Sequence, residues 1–169
     1  GTLFPYTTLF RSRVIGLTAA VLFLGYAALL FRIYIVPEDY VALHPHVLPG
    51  ECWVYKRTAA VRPELEPGEL VLFYRGEGED ISRHIGILTG NPGNTVVFSR
   101  EEGEFTVDGT KSAFDMKLSG SWKETASRTF ELSGEEYLFV DNNGFPDEKK
   151  VFIVKQEFIL GRLLFRLPF

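Results

Sequence analysis

Three histidines (His44, His46 and His84), one cysteine (Cys52) and a serine two residues ahead of His84 (Ser82) are the side chains that could carry nucleophilic or acid–base chemistry. Ser82 and His84 share a face if their segment is a strand, and a hydroxyl beside an imidazole is half of a serine hydrolase. Ser82 with His46 is the other pairing of that kind. His44 and His46 flank Pro45 in what reads as an exposed turn. The three imidazoles together could hold a metal, yet three histidines in 169 residues need no special function. Cys52 follows the turn-like Pro49-Gly50-Glu51 and opens an apolar run, which predicts a buried strand residue. No imidazole stands beside it in sequence, and buried thiols are usually inert. Asp115, Glu124 and the other carboxylates read as a solvated face.

The elements that must position these residues are short and β-like. After Pro37 the chain turns to apolar runs rich in Val, Ile, Phe and Tyr, punctuated by Gly and Pro, which is the pattern of strands joined by turns. Strands are predicted at Cys52–Arg57, Leu70–Tyr74, Ile81–Leu88, Thr95–Ser99, Glu104–Val107, Glu136–Val140, Val151–Val154 and Phe158–Leu163. The turns fall at Pro49-Gly50, Pro67-Gly68, Asn91-Pro92-Gly93-Asn94 and Asp108-Gly109. A polar stretch over residues 111–133, around Trp122, reads as a long excursion or an extra hairpin. Length allows one ordinary domain and a short appendage. The composition, 46% hydrophobic and 24% charged, is that of neither a disordered nor an all-membrane chain. A net charge of −4 without a basic face gives no reason to expect nucleic acid. A lone cysteine excludes an internal disulfide and a cysteine-based metal cluster. No cofactor or metal is expected.

Ahead of this domain, Val14 to Phe31 is uncharged and as a helix reaches roughly 27 Å, nearly the thickness of a bilayer core. Arg32 can snorkel and Tyr34 suits the headgroup zone, so the anchor is drawn over residues 13–36. No Ala-x-Ala site follows, which favours an uncleaved anchor over a signal sequence. Residues 2–12, TLFPYTTLFRS, read as the translation of a sequencing-adaptor oligonucleotide, so residues 1–12 are set aside from fold reasoning. Arg13 before the anchor and a large acidic domain after it predict a single-pass cell-membrane protein. Its N-terminus is expected in the cytoplasm and residues 37–169 outside, with membrane lipid as the anchor's partner.

Several short boxes occur in an informative order. Ala42 to Glu51, ALHPHVLPGE, is similar to the Ser-Met-x-Pro-Thr-Leu-x-x-Gly-Asp box of type I signal peptidases, which also lies just beyond an anchor helix. Pro67-Gly68-Glu69-Leu70-Val71-Leu72-Phe73 resembles Gly-Asp-Ile-Val-Val-Phe. Ile81-Ser82-Arg83-His84-Ile85-Gly86 resembles Ile-Lys-Arg-Val-Val-Gly. Pro92-Gly93-Asn94-Thr95-Val96 stands for Pro-Gly-Asp-x-Val, and Val107-Asp108-Gly109 for the family's Val-Asn-Gly turn. Tyr137 to Asn143, YLFVDNN, and Val154 to Arg162, VKQEFILGR, are similar to the last two boxes. Each alone is weak; the set in order is specific. The resemblance covers about Val14 to Phe165 and implies a mainly β, LexA-type domain of twisted antiparallel sheets behind one transmembrane helix.

The resemblance also implies where chemistry should be, and there the chain departs. The family's serine nucleophile falls on Ala42 and its lysine base on Ser82. A methyl group cannot form an acyl-enzyme and a serine hydroxyl is a poor proton acceptor, so ordinary signal peptidase turnover is not expected. Asp147-Glu148-Lys149 keeps the charge pattern of a structural ion pair in the family, but the supporting serine is replaced near Phe145 and the Gly-Asp-Asn turn has become Asp141-Asn142-Asn143. The binding residues implied are Leu43, Pro45, Ile81, Arg83 and Asn143, beside a groove for an extended peptide or a secreted or pilus protein. Two further readings stay open. One is an active signal peptidase with relocated residues (Ser82 and His84) or an engineered Ala42; the other is a structural subunit of a membrane complex.

Overall fold

A computed structural model describes residues 6–40, 43, 46–58, 65–76, 81–112, 126–141 and 151–168, with side chains from Arg13 onward. The chain divides into two compact units, Gly1–Arg32 and Ile33–Phe169. In the first, α1 (Tyr6–Leu30) contains an 18-residue stretch, Arg13–Leu30, long and apolar enough to cross a membrane. Its apolar side chains are exposed on every side, Ile15, Leu17, Leu22 and Phe23 among them, as suits a helix that meets lipid all round. Thr18 donates its hydroxyl to Val14 O at 2.9 Å, so that side chain carries no unpaired donor into an apolar medium.

The helix stops earlier than the sequence suggested. Phe31–Ile35 is a strand, β1, and the expectation that the anchor continues to Val36 is corrected. The run Phe31-Arg32-Ile33-Tyr34-Ile35-Val36 is aromatic and β-branched, which favours extended backbone, and Pro37 disfavours helix at the residue before it. Tyr34 is buried while Ile33 and Ile35 are exposed, the alternation of a half-buried strand.

The second unit is built from antiparallel ladders. The strands after β1 are β2 (Cys52–Arg57), β3 (Leu70–Arg75), β4 (Ser82–Gly90), β5 (Thr95–Ser99), β6 (Glu104–Val107), β7 (Thr110–Lys111), β8 (Arg128–Glu131), β9 (Glu136–Val140), β10 (Val151–Lys155) and β11 (Ile159–Arg166). A 3-10 turn at Gln156–Phe158 joins the last two. Seven strands form one sheet in the order β1-β2-β11-β3-β4-β9-β10, and four form another in the order β7-β6-β5-β8. The eight predicted strands are all present, four with the predicted limits. The excursion drawn over 111–133 instead gives two edge strands to the smaller sheet, β7 against β6 and β8 against β5; residues 113–125, with Asp115, Trp122 and Glu124, lie outside the described residues.

Alternation along the strands separates three cores. On one face of the large sheet Tyr34, Tyr55, Leu72, Ile85, Ile87 and Leu163 pack together, joined by Tyr40, Leu43 and Val47 from the segment between β1 and β2. On the other face Val71, Phe73, Leu88, Phe139, Phe152 and Ile159 form a second cluster. The small sheet contributes Val96, Phe98 and Phe105 to a third, joined by Leu132 just after β8, against Leu138 and Val140 of β9. The predicted turns are turns: Gly50, Gly68, Gly93 and Gly109 have positive φ. At the β6–β7 hairpin Asp108 also lies at φ 50°, tolerated because its carboxylate accepts from Thr95 N and Asn94 Nδ2.

Candidate functional site

The candidate site begins where two strands part. β4 pairs with β3 over Ser82–Ile87, from Leu70↔Ile87 to Arg75↔Ser82. Its ladder with β9 starts only at Ile87↔Val140 and runs to Gly90↔Leu138. The residues from Ser82 to Gly86 therefore keep β3 on one side and open a fork on the other. Tyr40 enters this fork and donates its hydroxyl to Ile85 O at 2.8 Å. Arg83, two residues earlier, points its main-chain groups the same way, and among the described residues no backbone partner meets them.

His84 and Asp141 face each other across the fork. Asp141 follows the last residue of β9 and is buried. His84 Nε2 lies 3.6 Å from Asp141 Oδ2, with side-chain exposures of 13% and 10%. That separation is beyond hydrogen-bond range, and Nε2 is buried without a hydrogen-bond partner. The imidazole is set among aromatic rings: Phe152 edge-on at 4.9 Å between centroids, Phe73 at 5.5 Å and Tyr40 at 5.9 Å. Phe73 is also its partner in the β3–β4 register. Burial, and then the Asp141 carboxylate, push the Tyr40 phenol far above its ordinary range, so it remains a donor. Arg75 lies over the Phe152 ring at 4.5 Å, a cation–π contact at the rim.

The predicted residues are distributed unevenly around this fork. Ser82 opens β4 and is exposed; its hydroxyl is directed to Arg75 O at 3.5 Å, and no hydrogen bond among the described residues joins it to His84. Ile81 and Arg83 are exposed beside it. Leu43 is fully buried in the first cluster, where it supports the fold and is not offered to a guest. His46 is exposed, and its N–H closes a turn onto Leu43 O. Ala42, His44, Pro45, Asn143, Phe145 and the Asp147-Glu148-Lys149 run lie outside the described residues. Cys52 starts a strand as predicted but is only half-buried. It lines a recess of about 490 Å³ with Gly50, Glu51, Arg166, Leu167 and Pro168. Among the described residues no three His, Cys, Asp or Glu side chains cluster to hold a metal ion.

Sequence reasoning missed Asp141 as the partner of His84, and it missed what the Gly-acid turns do. Glu69, after Gly68, binds Arg162 Nη1 through Oε1 at 2.6 Å, and its other oxygen accepts from Glu66 N at 3.0 Å. Glu51, after Gly50, binds Arg166 Nη1 and the Trp53 indole. Burial works to raise the Glu51 carboxyl, but the Arg166 hydrogen bond, the Leu48 N–H, the indole and the Arg166 charge together hold it below the ordinary glutamate range. Both acids thus staple β11 to the turns ahead of β2 and β3. An apolar run ending in a buried acid, as at Val140-Asp141, was the one signal that could have flagged Asp141.

No protein-family model matches the chain, and no curated protein matches it.

Proposed function

We propose that this chain is a signal-peptidase-like, LexA-type membrane protein that lacks the family's catalytic pair and binds an extended peptide or partner protein along the open edge of β4. The observation that carries this reading is the fork: a strand with one ladder partner over Ser82–Gly86 among the described residues, and exposed flanking residues Ile81 and Arg83. An extended segment adds to such an edge through main-chain hydrogen bonds, which need no nucleophile. The ordered boxes of the sequence support the family assignment, and Ala42 at the serine position with Ser82 at the lysine position supports a non-catalytic role. The span in α1 supports an anchor, with the N-terminus in the cytoplasm and the β domain outside. By analogy with catalytically dead members, the partner would be a secreted or pilus protein during assembly.

Capture of a panel of synthetic extended peptides by the full chain in detergent, with Arg83→Pro as the control, tests this. The substitution removes one edge N–H on the side facing away from β3, so binding should weaken by about 1 kcal/mol, roughly fivefold. Equal capture by both proteins, or none by the wild type, would refute edge binding.

A second reading, a hydrolase with relocated residues, draws on the His84–Asp141 contact, since an acid beside an imidazole is how a base is oriented. It requires Ser82 to leave Arg75 O and turn to the ring.

A further inference from the structure

We propose that the outward face of β1, β2 and β11 docks on the bilayer surface, with Ile33, Ile35, Val54 and Phe165 among the upper acyl chains and Lys56 against anionic lipid headgroups. The inference rests on the membrane anchor proposed above, but it concerns the β domain and is tested separately from the span.

Alternation sets the face. Tyr34, Tyr55 and Leu163 point into the first core cluster, so Ile33 and Ile35 on β1 and Val54 on β2 point the other way. Phe165 is the partner of Val54 in the β2–β11 register, past the bulge that follows Leu163, and directly opposed residues share a face. The exposures are 61% for Ile33, 64% for Ile35 and 53% for Phe165, and Val54 on the strand between them is half-buried. A sheet that turns one side to water carries polar residues on that side. Farther along the same side, over β3, β4, β9 and β10, the apolar side chains close into the second cluster. Ile33, Ile35 and Phe165 join none of the clusters among the described residues. They make an apolar surface that the domain leaves uncovered.

Two observations name a bilayer as the occupant. The first is covalent. Leu30 ends the apolar span, and three residues of extended chain reach no farther than about 11 Å, so an inserted span holds Ile33 at the membrane surface. β2 and β11 follow β1 in the sheet at strand spacings of about 4.8 Å, which continues the apolar face sideways from that point. The second is charge. β1, β2 and β11 contain no Asp or Glu, in a chain with 22 of them and a net charge of −4. Their ionic side chains are Arg32, Lys56, Arg57, Arg162 and Arg166. Glu69 and Glu51 neutralise Arg162 and Arg166. Lys56, exposed and two residues from Val54 on the apolar face, has no ion pair among the described residues. An apolar surface edged by an available cation fits the boundary between acyl chains and anionic headgroups.

The test uses the full chain, one copy per lipid nanodisc, in a Cys52→Ser background. A polarity-sensitive fluorophore is attached singly at Phe165→Cys, Thr110→Cys or Leu22→Cys, and quenching by spin-labelled lipids is read. Ile33 would be quenched by its tether alone, so Phe165, remote from α1 in sequence, decides. Its label should be quenched at least about fivefold more than the Thr110 label on β7, and more strongly in discs with about 30% anionic lipid than in neutral ones. Ile33→Asn combined with Ile35→Asn should bring the Phe165 value down to that of Thr110, while the Leu22 label stays quenched by lipids labelled deep in the acyl chain. Equal quenching at Phe165 and Thr110, with Leu22 in lipid, overturns the docking face and leaves the anchor. A Leu22 label that lipid does not quench overturns the anchor, and the docking with it. If the double variant does not fold, the Phe165-to-Thr110 ratio in the parent protein decides by itself. A Phe165 label shielded only when two copies share a disc, and not quenched by lipid, gives the face to a second copy and overturns the proposal.

Discussion

The two halves of β4 make an instructive pair. From Ile87 to Gly90 the strand has β9 on one side, with the first residue of β3 and the turn ahead of it meeting Ile87 and Leu88 on the other, and every residue is buried. Gly90 leaves no room for even a methyl group, since a Cβ there would sit 2.5 Å from Val96 Cγ2 and 2.9 Å from Leu132 Cδ1. From Ser82 to His84 the same strand is exposed or half-buried, and among the described residues β3 is the strand that pairs with it. Pairing with β3 does not explain the contrast, as that ladder runs in unbroken register from Ser82 through Ile87. The contrast follows from where β9 ends. Beyond Val140 the chain carries Asp141 instead of another apolar residue, so the ladder gives way to a polar contact. One strand thereby anchors a core with one end and offers an edge with the other.

If the closed half is the anchor, its defects should be the most damaging. Phe139, fully buried and stacked on Phe73 at 4.7 Å, packs opposite Leu88 and Phe152. Phe139→Ala should cost about 3–5 kcal/mol in denaturant unfolding of the solubilised chain, the usual penalty for emptying an aromatic core site. A loss under about 1 kcal/mol would mean that the fork is held elsewhere. Gly90→Ala should cost less, about 1–3 kcal/mol, because Val96 and Leu132 meet the new methyl with side chains that can partly give way. The two together also separate the closed half's contacts: the first probes the face shared with β3 and β10, the second the face covered by the smaller sheet.

The same contrast marks how far the sequence could be read. Strands with clean apolar runs between Gly or Pro turns, such as β2, β5, β6 and β9, had legible limits. β1 did not, because Phe31–Ile35 continues the apolar run of α1 and length alone cannot separate an anchor's end from a strand. β7 and β8 are exposed edges with polar residues, Thr110, Lys111, Arg128 and Thr129 among them, and edge strands need no apolar face. For the site, the shared face of Ser82 and His84 was legible from period-2 alternation. Their surroundings were not. Asp141 reaches His84, Glu69 reaches Arg162 and Glu51 reaches Arg166 only through strand order, which pairs segments far apart in the chain. Gly-acid turns announced bends and gave no hint that the acids bind the last strand.

The smallest effect is expected at the open end, and it tests the comparison most directly. Ser82 Oγ is exposed, and its contact with Arg75 O at 3.5 Å is at the limit of a hydrogen bond. Ser82→Ala should therefore change stability by no more than about 0.5 kcal/mol, as for surface positions without a buried partner. A cost above about 1 kcal/mol would show that this end of β4 is held as firmly as the other, and the edge would not be free to receive a strand. The variant also divides the two chemical readings. A peptide bound through the main chain is indifferent to the missing hydroxyl, whereas a hydrolase built on Ser82 loses its nucleophile and with it all covalent turnover. Equal peptide capture with unchanged stability is the combination that the open edge demands.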